Sequence, residues 1–277
     1  MPRLRAVKWA RRKKLLYVTG GSGFLGRHLI GSTAARDWEI VAPPSTMLDV
    51  CRYEAVLDDL REWKPNAVVH LAYRRGDRPS VVLGSANVAR AAADVGAHLV
   101  HLSTDVVFGG RELPYLEIDG HHPTTDYGRW KALAETEVAL AHPGAVLVRT
   151  SLIYGTAHLA QIQHDVALAA AGRSTMTFFT DEIRCPVHAL DLATVVSWLA
   201  ERPDISGPLH VAGPEAVDRL TFARRMATWM GHDSASLRGS TIAESGMPRP
   251  ARIVLDTTRA ARLGFVCRPM TEALAGR

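Results

Sequence analysis

The stretch LLYVTGGSGFLGRHLI, residues 15–30, places Gly20, Gly23 and Gly26 at three-residue intervals directly after a short apolar run. Leu15, Leu16, Tyr17 and Val18 have the length of a buried strand, and Phe24, Leu25, His28, Leu29 and Ile30 recur at helical spacing. The glycines therefore fall at a strand-to-helix turn. A residue without Cβ reaches positive φ and lets backbone N–H groups approach a ligand closely. The helix that follows adds unpaired N–H donors and a partial positive charge of roughly half a unit. Such a turn suits a diphosphate, and its G-x-x-G-x-x-G spacing is one residue away from the common dinucleotide fingerprint. A plain strand-to-helix turn has little use for three glycines, so a dinucleotide-binding α/β fold is expected.

The 277 residues, 47% of them hydrophobic, suffice for one large or two modest domains with a real core. No apolar run approaches the ~20 residues of a membrane span, so no membrane partner is expected. Cys51, Cys185 and Cys267 are far apart and form no C-x-x-C, which points to a reducing, cytoplasmic setting and to no zinc site. The twelve histidines show no metal-ligand spacing. Arg3, Arg5, Lys8, Arg11, Arg12, Lys13 and Lys14 put seven positive charges into the first fourteen residues, and without them the formal balance moves from +5 to −2. The basic excess is thus a tail, residues 1–14, expected to be a floppy leader; a targeting presequence is the alternative. A nucleic-acid groove would need basic residues spread over the fold, so no such partner is expected.

Strands and helices alternate after the first unit. A strand is expected at 38–42, an amphipathic helix at 53–63 with Val56, Leu57 and Leu60 on one side, and a buried strand at 66–72. A helix at 81–96, a strand at 98–104, a helix at 126–141 and a strand at 145–153 follow. Strands separated by such helices pair in parallel, giving a doubly wound sheet of Rossmann type over residues 15–155, with a return segment near 185–205. Beyond Tyr154 the pieces shorten: a helix at 157–171, strands at 176–179 and 209–213, and a helix at 221–230. Residues 156–277 are expected to form mainly a small substrate-binding lobe over the carboxyl edge of the sheet.

YGRWK puts Tyr127 and Lys131 four residues apart near a helix start, so both project from one face. A nearby ammonium favours phenolate and brings the phenol from about 10 toward working pH, where general acid–base catalysis is effective. Lysine can also donate to ribose hydroxyls. HLSTDVVFGG places Ser103, Thr104 and Asp105 at the end of a buried strand, where the ligand crevice of an open α/β sheet lies. A hydroxyl there can hold a substrate carbonyl beside the tyrosine.

These elements, in this order, resemble the extended short-chain dehydrogenase/reductase family from about Leu15 to the C-terminus. STDVVFGG, YGRWK, VRTSLIYG and LDTTRAARLGF look most like its dTDP-4-dehydrorhamnose reductase branch. The resemblance implies Gly20, Gly23 and Gly26 at a pyrophosphate, with Phe24 and Leu25 beside them. It puts Asp49 and Val50 at an adenine, and Leu71, Ala72, Tyr73 and Ser103 along the cofactor. Asn87 falls on the structural asparagine of the fourth helix. Thr104, Tyr127 and Lys131 form the implied catalytic set, with Tyr127 and Lys131 also touching the cofactor. Two positions depart from the branch: Leu152 stands where a tryptophan is common, and Val106 where a tyrosine is. Sugar-nucleotide 4,6-dehydratases carry an Asp-Glu pair after the threonine; here Val106 follows Asp105 and cannot take a proton, which disfavours elimination.

The implied activity is reduction of a nucleotide-linked 4-keto-deoxysugar by NADPH. A sugar-nucleotide epimerase, and a non-catalytic regulatory subunit like the partner of methionine adenosyltransferase, stay open as alternatives. So does a homodimer. The second strand ends in Pro43, Pro44, Ser45 and Thr46, with no carboxylate before Asp49. An acid there would bind a ribose 2′-OH and repel a 2′-phosphate. NADPH is therefore expected, with NADH allowed, Ser45 donating to the phosphate and a cation coming from Arg27, Arg74 or Arg75.

Overall fold

The structure, a computed structural model, describes residues 13–32 and 38–275. Residues 1–12 of the expected tail lie outside the described residues, and its last residue, Lys14, belongs instead to the first strand, opposite Trp38. In chain order the first half runs β1 (Lys14–Thr19), α1 (Phe24–Gly31), β2 (Trp38–Val41), α2 (Tyr53–Trp63), β3 (Ala67–His70), α3 (Arg78–Asp94), β4 (His98–Thr104), α4 (Asp126–Ala141) and β5 (Val146–Thr150). The second runs β6 (Ile153–Tyr154), α5 (Gln161–Ala170), β7 (Phe178–Phe179), β8 (Ile183–Arg184), β9 (Val187–His188), α6 (Ala189–Leu199), β10 (Gly207–His210), β11 (Val217–Asp218), α7 (Arg219–Trp229), β12 (Gly239–Ser240), α8 (Ile242–Ser245), α9 (Thr258–Arg262) and α10 (Met270–Ala275).

Six strands form one parallel sheet in the order β10-β5-β4-β3-β1-β2. The pleat sorts their side chains. Leu16 and Val18 of β1 face one layer with Leu25 and Leu29 of α1 and Leu192, Val196 and Leu199 of α6. Tyr17, between them, faces the other layer with Val56, Leu57 and Leu60 of α2 and Val88 and Ala92 of α3. Each fully buried side chain of this size contributes about 1.5–3 kcal/mol, so a register slip of one residue would expose a whole layer.

The sixth strand comes from far down the chain. β10 pairs with β5, Leu209 opposite Val148, and its ends are held by Gly207 N donating to Ala145 O (2.8 Å) and Val211 N donating to Arg149 O (2.9 Å). The strand anticipated at 209–213 is therefore shifted toward the N-terminus, because pairing with β5 fixes its register. The return segment continues to residue 210. The remaining pieces gather around Phe178, Leu220, Phe222, Met226 and Met270. There the antiparallel β8–β11 pair and α7 hold Glu182, Arg184 and Arg219 close together. The helix expected at 157–171 is confined to α5, with Gln163 Nε2 donating to Gly155 O (2.9 Å) and its Oε1 accepting from Gly155 N (2.9 Å) just before it.

Candidate active site

β1 ends at Thr19, and Gly20 turns the chain with φ +75°, a region L side chains rarely enter. A Cβ there would also stand 2.7 Å from the Ala72 nitrogen, so the turn lies hard against the end of β3. Gly23 is the N-cap of α1 and no side chain among the described residues caps that helix, leaving its first-turn N–H donors for a ligand. Gly26 also lines the cleft over the turn, and a Cβ there would fall 2.4 Å from the Gly20 carbonyl oxygen. Its bareness lets α1 close on the turn.

A cleft of about 450 Å³ opens over this turn. Gly20, Gly23, Phe24 and Leu25 line it from below, Ser45, Asp49 and Val50 from the loop after β2, and Leu71, Ala72 and Tyr73 from the end of β3. Arg74 and Arg75 line it too, whereas Arg27 opens onto a separate cavity with His158 and His188. Asn87 does not line the cleft. Its amide donates to the Val50 carbonyl at 3.1 Å from within α3, so it steadies the wall from behind.

A second cavity, about 350 Å³, shares Leu71, Ala72, Tyr73, Leu102 and Ile153 with the first. Thr104, Tyr127 and Lys131 all line it. Thr125 caps α4 by accepting from Gly128 N at 3.1 Å, which fixes the helix start and sets Tyr127 and Lys131 one turn apart. Thr104 Oγ1 donates to Asp105 Oδ1 (3.3 Å) and accepts from Val106 N (3.4 Å). Lys131, only 5% exposed, donates to the Leu102 carbonyl (2.6 Å) and faces His101 Nε2 at 3.4 Å. Burial brings its ammonium down to about 8.

Two expectations need correction. The Tyr127 phenol is not lowered: burial, followed by the neighbouring Tyr73, pushes it well above its ordinary value, and the two rings lie 5.8 Å apart. Lys131 directs its donors to Leu102 and His101. Ser103 is buried, lines the second cavity and not the cleft, and gives its hydroxyl proton to Glu135 of α4. Glu135 in turn takes Arg149 and His121, which hold its carboxyl down at about 2 despite burial.

Asp105, which the sequence placed just past the end of β4, lines the second cavity together with Glu182, Arg184, Arg219 and Arg249, charged groups that the sequence did not single out. Asp105 is buried, accepts from Ser151 Oγ at 2.6 Å and lies 3.7 Å from Arg184 Nε. Burial raises its carboxyl above the ordinary value. Glu182, also buried, meets Arg249 (3.0 Å), Arg184 (3.4 Å) and Arg219 (3.9 Å). Three guanidinium groups against two carboxylates, with Lys131 nearby, leave this cavity with a positive excess that suits an anion.

The sequence pattern of the family described as RmlD substrate binding domain matches residues 13–276. The chain belongs to this family. It is 30% identical over 276 residues to a dTDP-4-dehydrorhamnose reductase of Mycolicibacterium smegmatis, covering 94% of this chain and 83% of the relative. It is also 30% identical over 275 residues to methionine adenosyltransferase 2 subunit beta of Xenopus laevis, covering 90% and 82%. A crystal structure of dTDP-4-dehydrorhamnose reductase from Bacillus anthracis in complex with NADP superposes with a TM-score of 0.86 at 24% identity, covering 95% of this chain and 98% of that one. Membership of the RmlD substrate-binding-domain family thus spans both the glycine turn and the Arg-lined cavity. Among the described residues of this family member, no helix is long and apolar enough to cross a membrane.

Proposed function

We propose that this protein is an NADPH-dependent ketoreductase acting on a nucleotide-linked 4-keto-deoxysugar. One observation carries the reading: the cavity lined by Thr104, Tyr127 and Lys131 shares a wall with the cleft over the glycine turn, so two ligands can meet there. The Mycolicibacterium smegmatis relative supports the reaction class.

The cleft fits a dinucleotide. The uncapped start of α1 would hold the pyrophosphate, Asp49 and Val50 the adenine, and Ser45 with Arg74 or Arg75 a 2′-phosphate; NADH is accepted less well. When bound, that cofactor supplies the hydride. Tyr127, which stays protonated in its half-buried setting, is in the right form to give its proton to the oxygen of the substrate carbonyl. Thr104 orients that oxygen, and Lys131 holds the ribose hydroxyls. Arg184, Arg219 and Arg249 draw in the diphosphate of the sugar nucleotide. In this reading residues 15–155, with the return segment, carry the cofactor, residues 156–277 mainly carry the substrate, and the enzyme works in the cytoplasm.

The test is oxidation of NADPH by purified protein with a dTDP-linked 4-keto-6-deoxysugar. Turnover with formation of the alcohol supports the reading, and absence of turnover with cofactor bound overturns it. The Xenopus laevis relative favours a second reading, a regulatory subunit that keeps the cofactor fold, and the same assay would then give tight NADPH binding without reduction.

A further inference from the structure

His70 and His101 sit directly opposite each other in the β3–β4 register, on the face covered by α3 and α4, and are 2% and 1% exposed. Their rings stack with centroids 5.3 Å apart at 27°. His70 is pinned at both nitrogens: Nδ1 meets Thr19 Oγ1 at 2.7 Å and Nε2 meets Ser85 Oγ at 3.2 Å. The fixed His70 ring is therefore a plate against which His101 lies. His101 presents Nε2 to Lys131 Nζ at 3.4 Å, and its Nδ1 is buried with no hydrogen-bond partner among the described residues. An unpartnered buried nitrogen costs about 1–3 kcal/mol, and a leucine in this apolar layer would avoid it.

We infer that His101 is a positioning residue for Lys131, its neutral ring accepting from the ammonium at Nε2 so that, with Leu102 O taking a second N–H, the third N–H is left for a ligand in the second cavity, which Lys131 lines. An ammonium has three donors and no acceptor, and a lysine stem is otherwise free to rotate. Two fixed acceptors on adjacent residues of β4 remove that freedom. The tautomer follows: Nε2 can accept only if the ring proton is on Nδ1. Both rings stay neutral, because burial and then the Lys131 charge lower His70 to about 3 and His101 well below its ordinary value. Among the described residues, the other charged group acting on Lys131 is Glu135, one turn further along α4, which favours the ammonium. This inference rests on the role given to Lys131 above.

Lysine occurs five times, at Lys8, Lys13, Lys14, Lys64 and Lys131, so lysine labelled with ¹³C at Cε gives a spectrum in which the Lys131 signal can be followed through a pH titration of the full chain. His101→Leu removes an acceptor from the ammonium and is expected to lower the Lys131 midpoint by about half a pH unit or more. His101→Gln returns an acceptor and is expected to restore it. An unchanged midpoint in folded His101→Leu would overturn the inference. Wild-type protein with ¹⁵N-histidine provides a check that needs no variant: His101 is expected as the Nδ1–H tautomer, and an Nε2–H signal overturns the proposal. Neither measurement uses substrate, so an inactive protein with these midpoints would sink the reductase reading while leaving His101 in its place.

Discussion

Gly128 packs against Val106 so closely that a Cβ at position 128 would stand 2.2 Å from the Val106 carbonyl oxygen. The contact joins the first turn of α4, which carries Tyr127, to the turn that follows Thr104. Gly128→Ala must push these apart, and a displacement of about 1 Å at reacting groups lowers rates about 100-fold. The expected result is a kcat reduced to that extent with NADPH affinity nearly unchanged, read from steady-state kinetics and fluorescence titration. A variant with wild-type kcat would detach this contact from the reaction.

Tyr127→Phe keeps the ring beside Tyr73 and removes only the proton donor. Turnover is expected to fall by about two to four orders of magnitude, the usual worth of a general acid. Cofactor affinity should hold, since the cleft lining is untouched. Turnover within a factor of about three of wild type would exclude Tyr127 from acid catalysis.

Cofactor choice is expected to rest on the arginines that follow β3. Arg74 and Arg75 line the cleft with Ser45, and no acid precedes Asp49 on the loop after β2. Replacing both arginines by serine should lower the NADPH-to-NADH ratio of kcat/KM by about tenfold or more, the loss of an exposed charge-assisted hydrogen bond to phosphate. The ratio is measured on one substrate. No change in it would place the 2′-phosphate elsewhere.

Acid stability is expected to depend on Glu135. Its folded value of about 2 lies below the ordinary 4.5, so its contribution is complete above pH 4.5 and is lost as pH falls from there toward 2. The difference corresponds to about 3 kcal/mol. Glu135→Gln should flatten the fall in unfolding free energy across that window. It should also destabilise the protein at pH 7 by about 3–5 kcal/mol, because Arg149 loses its buried partner. Urea denaturation at several pH values checks both.

The parts of the site readable in the sequence are those written in local spacing. The glycine turn and the Tyr127–Lys131 pair each sit within one turn or one helix start, and Thr125 as a cap sets the first residue of α4 where the pattern put it. Ser103 and Asn87 show the limit of that reading. Each lies where expected along the chain, but the side chain is claimed by a distant partner, Glu135 or the Val50 carbonyl. Glu182, Arg184, Arg219 and Arg249 carry no local pattern at all. The carboxylate and its three arginines meet through strands of two residues and a loop, and only the tertiary fold makes a cluster of them.

The late arrival of β10 has a meaning for how the protein is made. Until residue 210 has left the ribosome, β5 presents a bare row of backbone groups, Val146 to Arg149, that β10 will later satisfy. At usual elongation rates of 5–20 residues per second, the interval from Thr150 to Gly207 lasts about three to eleven seconds. Throughout that time the nascent chain carries an open parallel edge that includes apolar Leu147 and Val148, the kind of surface on which neighbouring chains pair. A stop codon near residue 155 would make that transient exposure permanent, so the dinucleotide half cut at that point is a recipe for aggregates and not for a smaller enzyme.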